Sequence, residues 1–276
     1  NHALKQGGER IEVLSIVTNE NNVPLKLKYL HSITSEEINK EAYGAFNSIA
    51  VSSPNKFYIT RFASPMEPYG KYENPTIKAI KDSIFRPTGV YWIEFDPSTK
   101  NIEMKMVADG FFMANGIVFD KEKKHVWIAD SLAKTVSKYE RNMTTNELTK
   151  HNEVETGYVI DNLKYCHLND RLYTGGIGTL HKHVKAMDPP SKARDHHPEN
   201  YSVMQELGVP EFGMGIKRDL VVTDKMGGMS NAVRVGHHLI GGSPIADGVL
   251  ICYIDERTPA MIAQSIDFEV HKHMEL

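Results

Sequence analysis

The sequence has only two cysteines, Cys166 and Cys252, among 276 residues, and neither sign of charge is in excess. Two cysteines exclude a disulfide scaffold and a cysteine-based zinc site, although they could form a single bridge. With 32 basic and 35 acidic residues the net charge is −3, which does not favour binding to nucleic acid or to an anionic membrane surface. No uncharged run approaches the roughly 18 residues of a transmembrane helix, so no spanning segment is predicted.

Several common catalytic motifs are also missing. The sequence contains no Gly-x-Ser-x-Gly nucleophile elbow and no phosphate-binding Gly-Lys-Ser/Thr motif. The glycines of Gly175-Gly176-x-Gly178 do not precede a predicted helix, which argues against a dinucleotide-binding loop. The first residue is Asn1 and no signal-like segment follows it, so we expect the chain to be a fragment or a processed product.

Short strands dominate what is present. They are rich in aromatic and branched residues, and turn-forming residues bound most of them. The predicted strands include 56–60, 90–95, 125–129, 171–175 and 238–241. Helical periodicity is scarce, with a helix predicted over Thr76–Ile84 and a weaker one over Ser35–Glu41. Strands without intervening helices favour an all-β fold.

A weak internal repeat refines this prediction. Each unit contains a turn, an aromatic-bearing strand that ends in a small residue or threonine, and a second strand. The units are 53–62, 124–139 and 169–184, and an asparagine precedes each one, at Asn47, Asn115 and Asn162. Repeats spaced by roughly 45–70 residues, with four short strands each, are typical of a β-propeller. A β-sandwich, which also consists of short strands and turns, remains open.

Four polar residues lie in apolar surroundings where predicted strands begin: Asn47, Asn115, Asp161 and Asn162. A buried amide must find hydrogen-bond partners, so each asparagine could simply cap a local turn. However, equivalent positions in successive propeller blades point into one central channel. Amide and carboxylate oxygens gathered there would suit Ca²⁺ and not Zn²⁺.

The 13 histidines offer a competing metal site. His181 and His183 would share one face of a strand, and further pairs are His196-His197, His237-His238 and His271-x-His273. A zinc site lined by histidines is therefore an alternative. These pairs lie in charged or loop contexts without a His-Glu-x-x-His spacing, which favours surface or structural roles.

Two Asn-x-Ser/Thr triplets are candidate glycosylation sites. They begin at Asn142 and Asn200. If they are used, the protein follows a secretory route. We therefore expect a secreted glycoprotein, or one associated with the membranes of the secretory pathway.

Several motifs together resemble the paraoxonase/arylesterase family. The best of them is the turn Ala114-Asn115-Gly116-Ile117, followed by the strands 125–130 and 136–140. Phe46-Asn47-Ser48-Ile49 and Ile160-Asp161-Asn162-Leu163 are similar to two further family motifs. The similarity is collinear from Asn1 to Cys252.

This resemblance implies a six-bladed β-propeller with calcium in its central tunnel. The whole chain, 1–276, would form one propeller domain, with 253–276 as an extension beyond the family pattern. The implied activity is the hydrolysis of aryl esters and lactones, with water attacking a carbonyl that Ca²⁺ polarises. The implied partner is thus a small-molecule ester or lactone.

The resemblance also assigns roles to individual residues. Asn47, Asn115, Asp161 and Asn162 would be ligands of the catalytic calcium, and His2 would match one member of a catalytic histidine dyad. Cys252 would match a cysteine that bridges to a partner near the N-terminus of the family. Within this chain we predict that Cys252 does not bond to Cys166, because the two belong to different blades.

The sequence also departs from the family. The N-terminal third of the family pattern is missing, and with it a glutamate ligand, the first dyad histidine and the partner of Cys252. Ser48 replaces an aspartate that helps to bind a second, structural calcium. Two alternatives therefore stay open: a non-catalytic, calcium-stabilised propeller that acts as a binding module, and a propeller similar to strictosidine synthase, which lacks the calcium ligands.

Overall fold

The structure of the chain is a computed structural model, and it describes residues 2–3, 8–42, 45–63, 88–178, 201–208, 217–223, 226–244, 248–254 and 269–270. In these ranges the fold is all-β apart from a single short helix. The elements are β1 (His2–Ala3), β2 (Gly8–Glu9), β3 (Ile11–Thr18), β4 (Pro24–Ile33), α1 (Glu36–Ala42), β5 (Phe46–Ser53), β6 (Lys56–Arg61), β7 (Thr88–Phe95), β8 (Ile102–Phe111), β9 (Ala114–Phe119), β10 (His125–Asp130), β11 (Thr135–Arg141), β12 (Leu148–Glu155), β13 (Val159–Cys166), β14 (Arg171–Ile177), β15 (Ser202–Gly208), β16 (Lys217–Thr223), β17 (Asn231–Val235), β18 (His238–Gly242), β19 (Val249–Tyr253) and β20 (Glu269–Val270).

The strands form antiparallel sheets that follow the order of the chain. Within the described ranges, four sheets have four strands each, β5–β8, β9–β12, β13–β16 and β17–β20, while β1–β2 and β3–β4 are two-stranded. The prediction of an all-β fold is confirmed. The strands predicted from the sequence also lie where we expected them, as β6, β7, β10, β14 and β18.

The first hairpin of every four-stranded sheet turns through a residue with a positive φ angle. These residues are Asn55, Lys123, Asp170 and Gly236, with φ between 57° and 61°. A left-handed residue lets a short turn match the twist of the two strands that it joins. The four sheets therefore share the same backbone conformation at their first hairpin turn.

The first strands of the four large sheets lie side by side, in the order β5, β9, β13 and β17. Hydrophobic side chains fill the space between successive sheets, as for Trp127 and Ile128, which lie on opposite faces of β10 and are both fully buried. Sheets that meet along their first strands are typical of the blades of a β-propeller. A ring of six such blades stays a prediction.

Glycine permits the closest approach between neighbouring sheets. A Cβ atom on Gly116 of β9 would lie 2.6 Å from the Asp161 carbonyl oxygen and 2.6 Å from the Leu163 amide nitrogen, both on β13. A Cβ atom on Gly175 of β14 would likewise lie 2.6 Å from the Asn231 amide nitrogen on β17. The backbones of adjacent sheets therefore touch at these positions.

The β3–β4 hairpin and the β17–β20 sheet each keep an apolar face in contact with solvent. In the β3–β4 hairpin, Ile16 and Leu27 pair across the strands and are both 63% exposed. In the last sheet, Val235 and Tyr253 are also exposed. In a closed ring a neighbouring sheet would cover each of these faces.

The weaker helix prediction is confirmed, with a shift of one residue. Helix α1 begins after Ser35, whose hydroxyl accepts a hydrogen bond from the Ile38 amide at 3.1 Å and so caps the helix. Ile38 is fully buried against the β5–β8 sheet. The other predicted helix, Thr76–Ile84, lies outside the described residues.

Both cysteines are free, as predicted. Cys166 lies in β13 and Cys252 in β19, so they belong to different sheets. Cys252 is fully buried among apolar side chains, and this burial raises the pKa of its thiol to about 11. The thiol is therefore protonated at neutral pH and packs as a small apolar group.

Candidate functional site

The same irregularity occurs in the first strands of three successive sheets. Each strand inserts two residues opposite one residue of its partner, which is a β-bulge. The bulged pairs are Asn47-Ser48 in β5, Asn115-Gly116 in β9 and Asp161-Asn162 in β13. The corresponding strand of the fourth sheet, β17, pairs with β18 without interruption. All four of the predicted metal ligands thus lie at equivalent bulges.

Bulges re-aim side chains, and these re-aim polar groups in strands that are otherwise apolar. Hydrogen bonds between the sheets hold the bulged backbone. The Thr60 hydroxyl donates to the Asn115 carbonyl oxygen at 2.7 Å, and the Asn162 amide donates to the Ser230 carbonyl oxygen at 3.0 Å. With the backbone contact between Gly116 and β13, these bonds place the three bulges in one connected region.

Asn115 and Asp161 form the centre of this region, and we call them the amide–carboxylate pair. Asn115 is buried, and its Nδ2 donates to the Ser131 hydroxyl at 3.1 Å. Its Oδ1 is buried and has no hydrogen-bond partner in the part of the chain that the structure describes. Since a buried acceptor without a partner costs free energy, this oxygen is a candidate ligand atom.

The Asp161 carboxyl lies in an environment that disfavours its charge. Burial raises the pKa of this carboxyl from 3.8 to about 6, and the Asn115 side chain offsets part of that rise through a hydrogen bond. No described cation contributes to this pKa. At neutral pH the carboxyl is ionised, the residue is half-buried, and no described cation acts as its counter-ion, which is the state that a bound cation would stabilise.

The structure places the other two predicted ligands differently. The Asn162 side chain donates through Nδ2 to the Ser230 carbonyl oxygen at 3.2 Å, so its amide nitrogen is engaged and its Oδ1 remains available. Asn47 occupies the corresponding bulge of β5, but its side chain is exposed. The structure thus brings Asn115 and Asp161 together, and places Asn162 beside them in the chain.

Several residues that support this site were not predicted from the sequence. Asp130 accepts hydrogen bonds from the Phe112 and Met113 amides at 2.8 and 3.0 Å, and so fixes the turn that leads to Asn115. The Ser131 hydroxyl contacts both β9 and β13. The sequence marked Thr60 only as the last residue of a repeated strand, without indicating a role in the site. No sequence pattern indicated a role for Ser131.

The donor set of the amide–carboxylate pair consists of oxygen atoms only. A carboxylate and a neutral amide oxygen are ligands for a hard cation such as Ca²⁺. Among the residues that the structure describes, no three His, Cys, Asp or Glu side chains form a metal-binding group. Because its donors are oxygen atoms, the amide–carboxylate pair fits calcium better than zinc.

The histidine predictions fall mostly outside the described part of the chain. His181, His183, His196, His197, His271 and His273 all lie there. His237 and His238 lie in and after the β17–β18 turn, exposed, with both rings against Tyr253. His2, predicted as a catalytic residue, lies in β1 opposite Glu9, and its side chain is not among those described.

Of the two predicted glycosylation sites, only Asn142 lies in the described residues. It is exposed in the turn between β11 and β12, and its Oδ1 accepts hydrogen bonds from the Thr144 and Thr145 amides at 2.9 and 3.0 Å. Asn200 lies outside the described residues. Glycosylation of either site stays a prediction.

In the part of the chain that the structure describes, no helix is long and apolar enough to cross a membrane.

Comparison with protein families gives one match that includes the amide–carboxylate pair. The model of a family described as Arylesterase matches residues 9–177, which is more than half of the chain. This range contains all three bulges and every residue that we place around the site except Ser230. His2 and Cys252 lie outside it.

Curated proteins similar to part of the chain include two paraoxonases. Serum paraoxonase/lactonase 3 from Homo sapiens and serum paraoxonase/arylesterase 2 from Rattus norvegicus are each 29% identical over 126 residues. In both cases the match covers 46% of this chain and 32% of the relative. The matched segment is thus about a third of the length of these relatives.

Among solved structures, an oligogalacturonate lyase in complex with manganese is similar in fold. The alignment covers 96% of this chain and 61% of that protein, with a TM-score of 0.50 and 8% sequence identity. At this identity the similarity concerns the fold alone.

Proposed function

The chain belongs to the arylesterase family, and on that premise we propose that it takes part in calcium-dependent hydrolysis of aryl esters and lactones. The proposed site is the amide–carboxylate pair of Asn115 and Asp161, between β9 and β13. Asn162 and Asn47 are the proposed additional ligands. A calcium ion bound there would polarise the carbonyl group of an ester or lactone and favour attack by water.

A single observation carries this proposal. Asn115 Oδ1 is buried with no hydrogen-bond partner among the described residues, next to a carboxyl that burial makes hard to ionise. Both features cost free energy in the metal-free protein, and a cation bound between the two groups would remove both costs at once. An ion pair or a turn cap does not explain this arrangement, because no described cation contributes to the pKa of Asp161 and no described group donates to Asn115 Oδ1.

The residues of the site would contribute different kinds of ligand to the cation. Asp161 supplies the negative charge that attracts a cation, while Asn115 and Asn162 supply neutral oxygens without adding charge. Ca²⁺ takes about 6–8 oxygen ligands, and these residues with Asn47 supply fewer, so water and groups beyond them must complete the shell. We therefore expect calcium affinity no tighter than micromolar for this chain.

The proposed base is His2, which follows from the family resemblance. An unperturbed histidine has a pKa of about 6.5 and can accept a proton from water at neutral pH. We further propose that the substrate is a small ester or lactone and that the protein follows the secretory route. The exposed position of Asn142 supports that route.

Substitution of Asn115 tests the site directly. Asn115→Ala removes one oxygen ligand, and we expect a loss of about 1.5–3 kcal/mol, or roughly 10–150-fold in calcium affinity, by analogy with a hydrogen bond to a charged group. Calcium-dependent hydrolysis of phenyl acetate and of a δ-lactone should fall with it. Calorimetric titration and an esterase assay, each with and without chelator, measure the two effects.

The matched control for this substitution is Asn152→Ala. Asn152 lies in the same sheet, in β12, and its side chain caps only the neighbouring Glu153 amide. We expect it to leave calcium affinity unchanged. Equal affinities for Asn115→Ala and the wild type would remove Asn115 from the site. Calcium binding without any hydrolysis would instead favour a binding module.

A further inference from the structure

Ser131 holds the Asn115 amide in a defined orientation. The hydroxyl of Ser131 is an acceptor for Asn115 Nδ2 at 3.1 Å and a donor to the Ile160 carbonyl oxygen at 2.5 Å. The residue is only 2% exposed, and its own amide donates to the Met113 carbonyl oxygen at 3.0 Å. Both the backbone and the side chain of Ser131 are therefore fixed.

The single proton of a hydroxyl group determines the direction of this chain of hydrogen bonds. Because Ser131 gives its proton to the Ile160 carbonyl, its oxygen can only accept from Asn115. A flipped Asn115 amide would place Oδ1 against that oxygen, with no proton between the two atoms. We call this chain of hydrogen bonds, from Asn115 through Ser131 to Ile160, the relay. It directs Nδ2 of Asn115 towards Ser131 and leaves Oδ1 free.

The free oxygen has the properties of a prepared ligand. Asn115 is 8% exposed, its Oδ1 has no hydrogen-bond partner within the described ranges, and its side chain lies next to the Asp161 carboxyl. The Ile160 carbonyl, at the other end of the relay, belongs to the residue directly before Asp161. One serine therefore contacts the side chain of the first ligand and the backbone that leads to the second.

We propose that Ser131 is a positioning residue that presents Asn115 Oδ1 to a cation at the amide–carboxylate pair. This inference rests on the proposed function, since it names the residue that orients a ligand of the proposed calcium site. The role assigned to Ser131 is orientation and not ligation, since its proton and one of its two lone pairs already hold the Ile160 carbonyl and the Asn115 amide. Groups that orient metal ligands commonly affect affinity about 10–100-fold.

The first measurement compares calcium affinity in three variants of the full chain. Ser131→Ala removes the relay, and we expect calcium affinity to fall about 10-fold or more. Ser131→Thr keeps the hydroxyl and should restore most of that affinity. Ser137→Ala is the matched control, because Ser137 is equally buried at 3% but its hydroxyl donates to Glu153, in the outer strand β12. It should bind calcium like the wild type.

The second measurement reports on the relay without calcium. In protein labelled with ¹⁵N-asparagine, hydrogen exchange of the Asn115 side-chain amide should be slow in the wild type and in Ser137→Ala. It should be at least about 10-fold faster in Ser131→Ala, since a donor without its acceptor opens to water more readily.

The two measurements separate this inference from the proposed function. No calcium binding by the wild type would overturn the proposed calcium site. Equal amide exchange in the wild type and Ser131→Ala would overturn the orienting role of Ser131, whether or not calcium binds. Loss of affinity in Ser131→Ala, with rescue by threonine and fast amide exchange only in the alanine variant, is the expected result.

Discussion

Replacing Asp161 with asparagine is expected to stabilise the metal-free protein and to remove its response to calcium. Burial raises the pKa of this carboxyl from 3.8 to about 6 in the folded protein. The folded state therefore holds the proton more tightly than the unfolded state, and ionisation of the buried group costs stability. A difference of this size corresponds to about 3 kcal/mol, at 1.36 kcal/mol per pH unit.

The direction of the pH dependence follows from the raised pKa. In the metal-free protein the contribution of Asp161 is fully favourable below the unfolded pKa of about 4 and is lost as the pH rises through about 6. Asp161→Asn cannot ionise, so it should be more stable than the wild type by about 2–3 kcal/mol above about pH 7 and should show no gain near pH 4.

Urea denaturation in chelator across this pH range measures the effect, and Asp170→Asn is the control. Asp170 is exposed in the β13–β14 turn of the same sheet, so its substitution should change neither stability nor the calcium response. If Asp161→Asn were less stable than the wild type in chelator at neutral pH, a partner within the protein would be stabilising the Asp161 carboxylate. The carboxylate would then not need a cation for its stability.

The second large effect concerns the contact between two sheets. Gly116→Ala is expected to destabilise the protein by about 3 kcal/mol or more, since overpacking of this kind typically costs 1–3 kcal/mol even where flexible side chains can move. Here the new Cβ atom would lie 2.6 Å from two backbone atoms of β13 and 2.8 Å from the Asn162 Cα atom. The backbone of β13 would have to move, and Asp161 would move with it.

Gly242→Ala is the matched control for that substitution. Gly242 also lies in a strand, β18, and no atom lies within 4 Å of a Cβ built on it. Its substitution should change the free energy of unfolding by less than about 0.5 kcal/mol. Denaturation midpoints and calcium titrations of both variants measure these effects. A Gly116→Ala variant with normal stability and calcium affinity would show that β9 and β13 are not in backbone contact.

The repeated pattern of the sequence located three of the four-stranded sheets, those that begin with β5, β9 and β13. Turn signals such as Pro54-Asn55 and Asn169-Asp170 became the first hairpin turns, and the asparagine before each repeat marked the start of a sheet. Local chemistry determines such features, since strand and turn preferences act over a few residues. Register shifts between strands depend on both partners, so the bulges themselves could not be predicted.

The candidate site could be predicted only in part. Asn115 and Asp161 were identifiable because a polar side chain in an apolar strand costs free energy unless it has a partner or a ligand. Ser131 and Gly116 were not, since their roles depend on the distance between two sheets and not on spacing within the sequence. The exposure of Asn47 could not be predicted either, because its position in the repeat matches that of the buried Asn115.

Calcium-dependent thermal stability of the wild-type chain, compared with Asn115→Ala and Asp161→Asn, tests the central claim most directly. Calcium at about 100 times its dissociation constant should stabilise the wild type by about 2.7 kcal/mol. Neither variant should gain as much at the same concentration, and magnesium should stabilise the wild type less, because it demands a smaller and more regular ligand shell. Equal calcium-induced stabilisation of all three proteins would contradict the claim that Asn115 and Asp161 bind the ion.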